Sequence, residues 1–314
     1  MKFSFALPTH RVDPPGELLS AAAIGQLAAA AEAAGFDAVS VTEHPFPPAA
    51  WVRHGGHHAL DPLVALACAA AATRHARLHT NLFVLPYRNP FLAAKSVASL
   101  DVVSGGRVIL GVGAGYLEGE FEALGVPFAG RNGRLDRSIA AMRAAWTGRP
   151  VDLEGDGWAA RGNQALPVPL QEPHPPLWIG GNSLRAARRA VELGDGWAPF
   201  MASPGVAGAT RTAAIAGIDE LARRIAQLGQ AATEAGRTSP LDVVTVPTAL
   251  ALDPSGPDRI DAVDLDAVAG QVVRLAAAGV TWCVVTLPGG DLDAQLASVS
   301  AFANAVIAPG RAPA

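Results

Sequence analysis

A glutamate and a histidine stand side by side where a buried apolar run ends, in Ala38-Val39-Ser40-Val41-Thr42-Glu43-His44. Histidine titrates near neutral pH, so at a strand end it can give or take a proton beside a bound ligand, with Glu43 orienting the ring or holding it protonated. A second run, Thr80-Asn81-Leu82-Phe83-Val84-Leu85-Pro86, also turns polar as it gives way to a loop. Two glycine-rich strand ends complete the set. Gly111-Val112-Gly113-Ala114-Gly115 offers backbone without side chains, which a planar or phosphorylated ligand can approach closely. Pro176-Leu177-Trp178-Ile179-Gly180-Gly181-Asn182-Ser183 carries a strand through two glycines into a helix starting near Ser183, where N–H groups and the helix dipole suit a phosphate.

Other readings of such residues carry less. The glycines at 111, 113 and 115 lack the third glycine of a dinucleotide fingerprint at its proper offset. His54, His57 and His58 lack the helical spacing and the carboxylate of a zinc-hydrolase signature, so no metal site is read from them. Trp51, Arg53, His57, Trp158 and Phe200 are candidate walls for a substrate.

Apolar runs of strand length recur with helix patterns between them: Lys2-Leu7, Ala38-Thr42, Leu78-Val84, Arg107-Val112, Leu177-Gly180, Gly196-Phe200, Asp242-Leu250 and Thr281-Leu287. Asp61-Pro62 reads as an N-cap with proline at the first helical position, and Gly35 and Gly279 stop the helices before the second and eighth strands. Continuous rather than alternating apolar strands indicate burial on both faces. Eight such strand-helix units predict a parallel (β/α)8 TIM barrel, with every strand end opening onto one face where the chemistry belongs. The Gly- and Pro-rich stretch 147–176 interrupts the rhythm between the fourth helix and the fifth strand. It is expected as an insertion carrying a hairpin over Val151-Trp158. Residues 202–217 form a second irregular stretch, a candidate lid, and no boundary divides residues 1–314 into two cores.

Half of the 314 residues are hydrophobic, the net charge is -4 and the pI is near 6.1, which leaves no basic footprint for nucleic acid. The apolar start at Met1-Pro8 is too short for a secretory core, and the uncharged Ala-rich stretch near the N-terminus falls short of the ~20 residues of a membrane span. A cytoplasmic protein without membrane partners is expected. Cys68 and Cys283 sit in helix and strand patterns as small core residues, and no C-x-x-C exists.

Taken in order, Gly35-Phe36-Asp37-Ala38 through His44, Leu85-Pro86-Tyr87-Arg88-Asn89-Pro90 with Ala94-Lys95, and Leu100-Asp101-Val102-Val103-Ser104-Gly105-Gly106-Arg107 with Gly111-Val112-Gly113 form a set. Glu120-Phe121-Glu122-Ala123-Leu124-Gly125-Val126-Pro127-Phe128, Trp178 to Asn182 and Leu193-Gly194-Asp195-Gly196-Trp197 continue it. The set resembles the bacterial luciferase-like flavin and deazaflavin oxidoreductases, in particular the branch that uses coenzyme F420, over nearly the whole chain. The resemblance implies that His44 lies over the cofactor ring with Glu43 as its acidic neighbour. It implies that Asn81 and Leu82 form a strand-three bulge with a non-prolyl cis peptide, that Gly111 and Gly113 border the ring, and that Gly180 with Gly181 hold the phosphate, with Asn182 and Ser183 as further cofactor-binding residues. Some sugar-phosphate-oxidising relatives carry glutamate at the position of Tyr116, so that substrate is not carried over. The expectation is an F420-dependent oxidoreductase acting as a homodimer on a small organic substrate. An FMN-dependent monooxygenase of the same fold using dioxygen, or a cofactor-binding protein without turnover, stands as the alternative.

Overall fold

The computed structural model describes residues 1–12, 16–250 and 259–311. The eight apolar runs become strands β1 (Lys2–Ala6), β2 (Ala38–Val41), β3 (Arg77–Val84), β4 (Val108–Gly113), β7 (Leu177–Gly180), β8 (Gly196–Ala198), β9 (Asp242–Thr245) and β10 (Trp282–Val285). They close into a parallel barrel in the order β1-β10-β9-β8-β7-β4-β3-β2. The interrupting stretch holds an antiparallel hairpin of β5 (Val151–Gly155) and β6 (Trp158–Asn163) outside the barrel.

Both strand faces are dry because each meets a different core. Ala38, Ile109, Trp178, Ala198, Val244, Trp282 and Val284 pack against one another within the barrel. The alternate residues Phe5, Val39, Leu78, Leu110, Ile179 and Cys283 belong to a larger core shared with the helices. Period-two alternation is present, hidden in the sequence because both faces are apolar.

The helices are α1 (Ala21–Ala33), α2 (Ala49–Arg53), α3 (Pro62–Ala72), α4 (Pro90–Ser104), α5 (Glu118–Ala123) and α6 (Arg131–Trp146), then α7 (Leu184–Leu193), α8 (Pro204–Ala209), α9 (Ile218–Glu234), α10 (Leu265–Ala277) and α11 (Leu292–Phe302). Asp61 caps α3 by accepting from the Leu63 and Val64 amides at 2.9 and 3.1 Å. Gly35 and Gly279 follow α1 and α10 with φ of 90° and 96°, a conformation that favours glycine. Cys68 is half-buried on α3 and Cys283 buried on β10, both unpaired. No helix among the described residues is long and apolar enough to cross a membrane.

Five strands end earlier than their apolar runs suggest: β2 by one residue at Val41, β10 at Val285 ahead of Pro288, and three others that also run into proline. β1 stops at Ala6 just before Pro8, β8 stops at Ala198 before Pro199, and β9 stops at Thr245 before Pro247, after which Thr248–Leu250 turn as a 3-10 helix. Proline has no N–H to continue a ladder, so each of these strands is released at the barrel rim while its apolar residues continue into the loop.

Candidate active site

Because all eight strands run parallel, their C-terminal ends share one mouth, and a cavity of about 580 Å³ opens there. The size suits a small-molecule site, roughly 300–1,000 Å³. The loop after β2 contributes Glu43 and His44, β3 contributes Asn81 and Leu82, and the end of β4 and its following loop contribute Gly113 and Tyr116. Phe200, Met201 and Thr245 close the opposite side from β8 and β9.

His44 is almost fully buried, and its ring is held from both edges. Nδ1 lies 3.3 Å from Glu120 Oε2, and the Tyr116 hydroxyl lies 3.5 Å from Nε2. Glu120, on α5 and without solvent exposure, also accepts from the Tyr87 hydroxyl at 2.7 Å and from the Phe46 amide at 3.2 Å. With the Nδ1 proton directed at Glu120, Nε2 is the nitrogen presented to the cavity. Burial together with the Glu120 charge pushes the Tyr116 hydroxyl up to about 12, so it keeps its proton and remains a donor at neutral pH.

Glu43 does not orient the histidine. Its carboxylate accepts from the Val84 amide at 2.6 Å and is gripped by both terminal nitrogens of Arg88, whose guanidinium stacks 3.9 Å from the centre of the Phe83 ring. Burial raises its pKa against the pull of Arg88 and the Val84 N–H. Glu43 therefore ties the end of β2 to the end of β3, and the orienting carboxylate is Glu120. That residue stands 76 positions from His44, in the Glu120–Phe128 stretch that resembles the family, and no local spacing links the two. Only the fold brings α5 under the histidine.

The peptide between Asn81 and Leu82 is cis, and the register of β3 against β4 shifts between Thr80 and Phe83. The expected ligand-facing glycines converge on the Leu82 side chain. A Cβ at Gly180 would overlap Leu82 Cδ1, and one at Gly111 would meet the Thr80 carbonyl with Leu82 Cδ2 at 3.0 Å. At Gly113 it would lie 3.3 Å from Leu82 Cδ1. Gly113 borders the cavity, whereas Gly111 and Gly180 make room for Leu82 within the barrel.

The Gly181-Asn182-Ser183 turn lies to the side. The Gly181 amide donates to the Ala198 carbonyl at 3.3 Å and the Asn182 amide to Thr212 Oγ1 at 2.9 Å. The Asn182 side chain donates to the Phe200 and Ala213 carbonyls, each at 2.8 Å, and accepts from the Phe200 amide at 2.9 Å. Ser183 caps α7 by accepting from the Ala186 amide at 3.1 Å. Asn182 thus clamps the irregular 202–217 stretch, which contains α8 and a bridge between Ala202 and Ile215. The first-turn amides of α7 have no acceptor within the helix and are what this turn offers to an anion.

Of the candidate walls, His57 and Phe200 border the cavity, and Trp51 packs on His44 with ring centres 4.6 Å apart. Trp158 meets Phe91 edge to face, ring centres 5.1 Å apart, outside the cavity, because the hairpin lies against the flank of α4 and α6. Arg53 is exposed on α2. His54 and His57 turn Nδ1 to backbone carbonyls, at 2.7 and 2.9 Å. Among the described residues no three acidic, histidine or cysteine side chains gather as a metal site would require. Thr245 Oγ1 borders the cavity, buried and, among the described residues, without a hydrogen-bond partner, as befits a group waiting on a ligand.

Fold and cavity together define a (β/α)8 barrel whose ligand site lies at its C-terminal mouth. Residues 1–255 match the luciferase-like monooxygenase family, and the chain belongs to the bacterial luciferase-like oxidoreductase superfamily. It is similar to an uncharacterised protein of Mycobacterium tuberculosis, 31% identical over 229 residues that cover 69% of this chain and 74% of the relative. It is also similar to the F420-dependent glucose-6-phosphate dehydrogenase of Gordonia bronchialis, 32% identical over 63% of this chain. That match spans 56% of the relative, little more than half its length. Among solved structures, monooxygenase RslO1 of Streptomyces bottropensis shares the fold with a TM-score of 0.77 at 21% identity, over 99% of this chain and 100% of the other.

Proposed function

We propose that the chain is an F420-dependent oxidoreductase that moves a hydride between the deazaflavin and a small organic substrate at the barrel mouth. The observation that carries the reading is the buried His44–Glu120 pair, which presents Nε2 to a ligand-sized cavity. The name of the Gordonia bronchialis relative supports F420 as the cofactor. Leu82, Gly113 and Thr245 fit a planar ring system, offering an apolar floor, open backbone and an unpartnered hydroxyl. Gly180, Gly181, Asn182 and Ser183 shape the approach to the α7 amides that would face the phosphate.

The deazaflavin, when bound, supplies the hydride chemistry. His44 Nε2 takes the proton of a substrate hydroxyl, or returns it to a carbonyl. Glu120 fixes the ring and stabilises the charge it gains. Tyr116 donates to the same substrate oxygen. Glu43 acts indirectly, by holding the ends of β2 and β3 together. Fluorescence titration with F420 and with FMN tests the cofactor assignment. Tighter F420 binding is expected, and a clear preference for FMN would instead support an FMN-dependent monooxygenase.

We also propose a homodimer. Val64, Leu92 and Val103 are largely exposed along an open apolar groove between α1, α3 and α4, floored by Gly25, Ala67 and Ala71. Light scattering of wild type and of Leu92→Glu should report a dimer and a monomer respectively, whereas a monomeric wild type at micromolar concentration contradicts the assignment.

A further inference from the structure

We propose that the substrate held beside His44 is an uncharged alcohol or carbonyl compound with a ring or comparable apolar body, and that phosphorylated and carboxylated substrates are rejected. The inference rests on the oxidoreductase reading and specifies the substrate class of the same cavity.

The first argument is the charge of the walls. None of the described residues lining the cavity is lysine or arginine. The chain has only two lysines: Lys2 lies at the start of β1, at the far end of the barrel and over the Trp282 ring, and Lys95 donates from α4 to the Leu166 carbonyl. Nearby arginines are engaged elsewhere, Arg88 on Glu43, Arg211 on Glu118 at 3.0 Å, Arg131 on the Gly115 carbonyl at 2.9 Å and Arg11 on the Gly289 carbonyl. Segments 13–15 and 251–258 contain no lysine or arginine. His57 has its pKa lowered, chiefly by burial, and His10 beside it is lowered to about 4 by burial and the neighbouring charges, so neither supplies a cation at neutral pH. An anion entering here sheds its hydration and meets no lysine or arginine on the cavity wall to pair with directly.

The second argument is where polar atoms converge. Nε2 of His44 and the Tyr116 hydroxyl, 3.5 Å apart, form a paired polar point fit for one oxygen atom. Around them stand rings and apolar side chains: His57 lies 4.8 Å from His44, with Phe200 and Met201 opposite, and Trp51 packs on His44 at 4.6 Å, while Asn81, Thr245 and Thr248 also lie on the lining. A polyhydroxylated substrate would leave hydroxyls unpaired against these faces, while a flat apolar body gains contact. In the oxidative direction a bound oxidised deazaflavin would serve as acceptor for the carbinol hydrogen with its electron pair as the C–H bond breaks. The C–O bond becomes double and the hydroxyl proton passes to His44 Nε2.

Binding of a matched pair tests the inference: 1-phenylethanol and its para-carboxylate, with cyclohexanol as a second neutral probe, titrated into the purified protein and followed by tryptophan fluorescence. The neutral alcohols are expected to bind at least ~10-fold tighter than the carboxylate, with Trp51→Ala weakening them about 5-fold. Met201→Lys, which places a cation on the wall, is expected to raise carboxylate affinity by at least ~10-fold. Equal or tighter binding of the carboxylate by wild type overturns the inference, as does failure of both neutral alcohols to bind. Loss of carboxylate binding in Arg53→Ala would identify Arg53 as the overlooked cation and overturn it too. F420 and FMN are titrated into the same preparation. Failure of both cofactors to bind overturns the oxidoreductase reading, whereas cofactor binding with a preference for the carboxylate overturns only the substrate class.

Discussion

Glu120 Oε2 lies 3.3 Å from His44 Nδ1, joining the first turn of a short helix after β4 to the end of β2. The contact makes the histidine a directional group. One nitrogen faces a carboxylate with no solvent exposure, and the other faces the cavity.

Removing the imidazole should therefore remove the proton partner and little else. His44→Ala is expected to cut turnover by about 10²-fold or more while cofactor affinity stays within a small factor. Glu120→Gln sets an amide donor against one of three donors, from His44, Tyr87 and Phe46. It should cost about 1–3 kcal/mol of stability and displace the pH–rate profile. An unchanged profile would reduce Glu120 to a structural residue, and unchanged turnover in His44→Ala would do the same for the histidine.

Leu82 and Gly180 form a steric pair within the barrel. Gly180→Ala should destabilise by about 1–3 kcal/mol, because the new methyl overlaps Leu82 Cδ1 and the surroundings are closely packed. In a Leu82→Ala background the same change should cost less than about 1 kcal/mol, a coupling that urea unfolding of the four proteins measures. Equal costs in both backgrounds would show that the glycine serves something other than the leucine.

Acid should unfold the barrel partly through His79. Its ring is fully buried between Ser4 and Trp178, Nε2 has no partner, and burial lowers its pKa from 6.5 to about 3. Below pH 6.5 the unfolded chain binds a proton there that the folded chain refuses, so stability present at neutral pH is lost as the pH falls from 6.5 towards 3. The slope is up to about 1.4 kcal/mol per pH unit. His79→Leu should flatten the urea midpoint across that window, and an undiminished slope would assign the acid sensitivity to other groups such as His10.

The barrel was legible because eight apolar runs must each bury two faces; the strand limits shifted by up to a few residues, at β1, β8, β9 and β10 ahead of a proline, and the hairpin expected over Val151-Trp158 runs on to Asn163. His44, Asn81, Leu82 and Gly113 were legible as strand-end residues and meet at one cavity. The role given to Glu43 was not, since both residues lie in the loop beyond β2, where Glu43 is taken up by the Val84 amide and Arg88 and His44 by Glu120. Glu120 and Tyr116 could not be paired with His44 from spacing, because α5 reaches the histidine only after the barrel closes. Gly111 and Gly180 were read as open backbone for a ligand, whereas a Cβ at Gly111 would meet the Thr80 carbonyl and one at Gly180 the Leu82 side chain.

The absorbance of the deazaflavin itself tests the central claim most directly. Oxidised F420 mixed with the purified protein and a series of uncharged secondary alcohols should lose its visible band as hydride is transferred. The rate should fall by about 10²-fold in His44→Ala. F420 that neither binds nor bleaches, in a protein that takes up FMN tightly, would contradict the account.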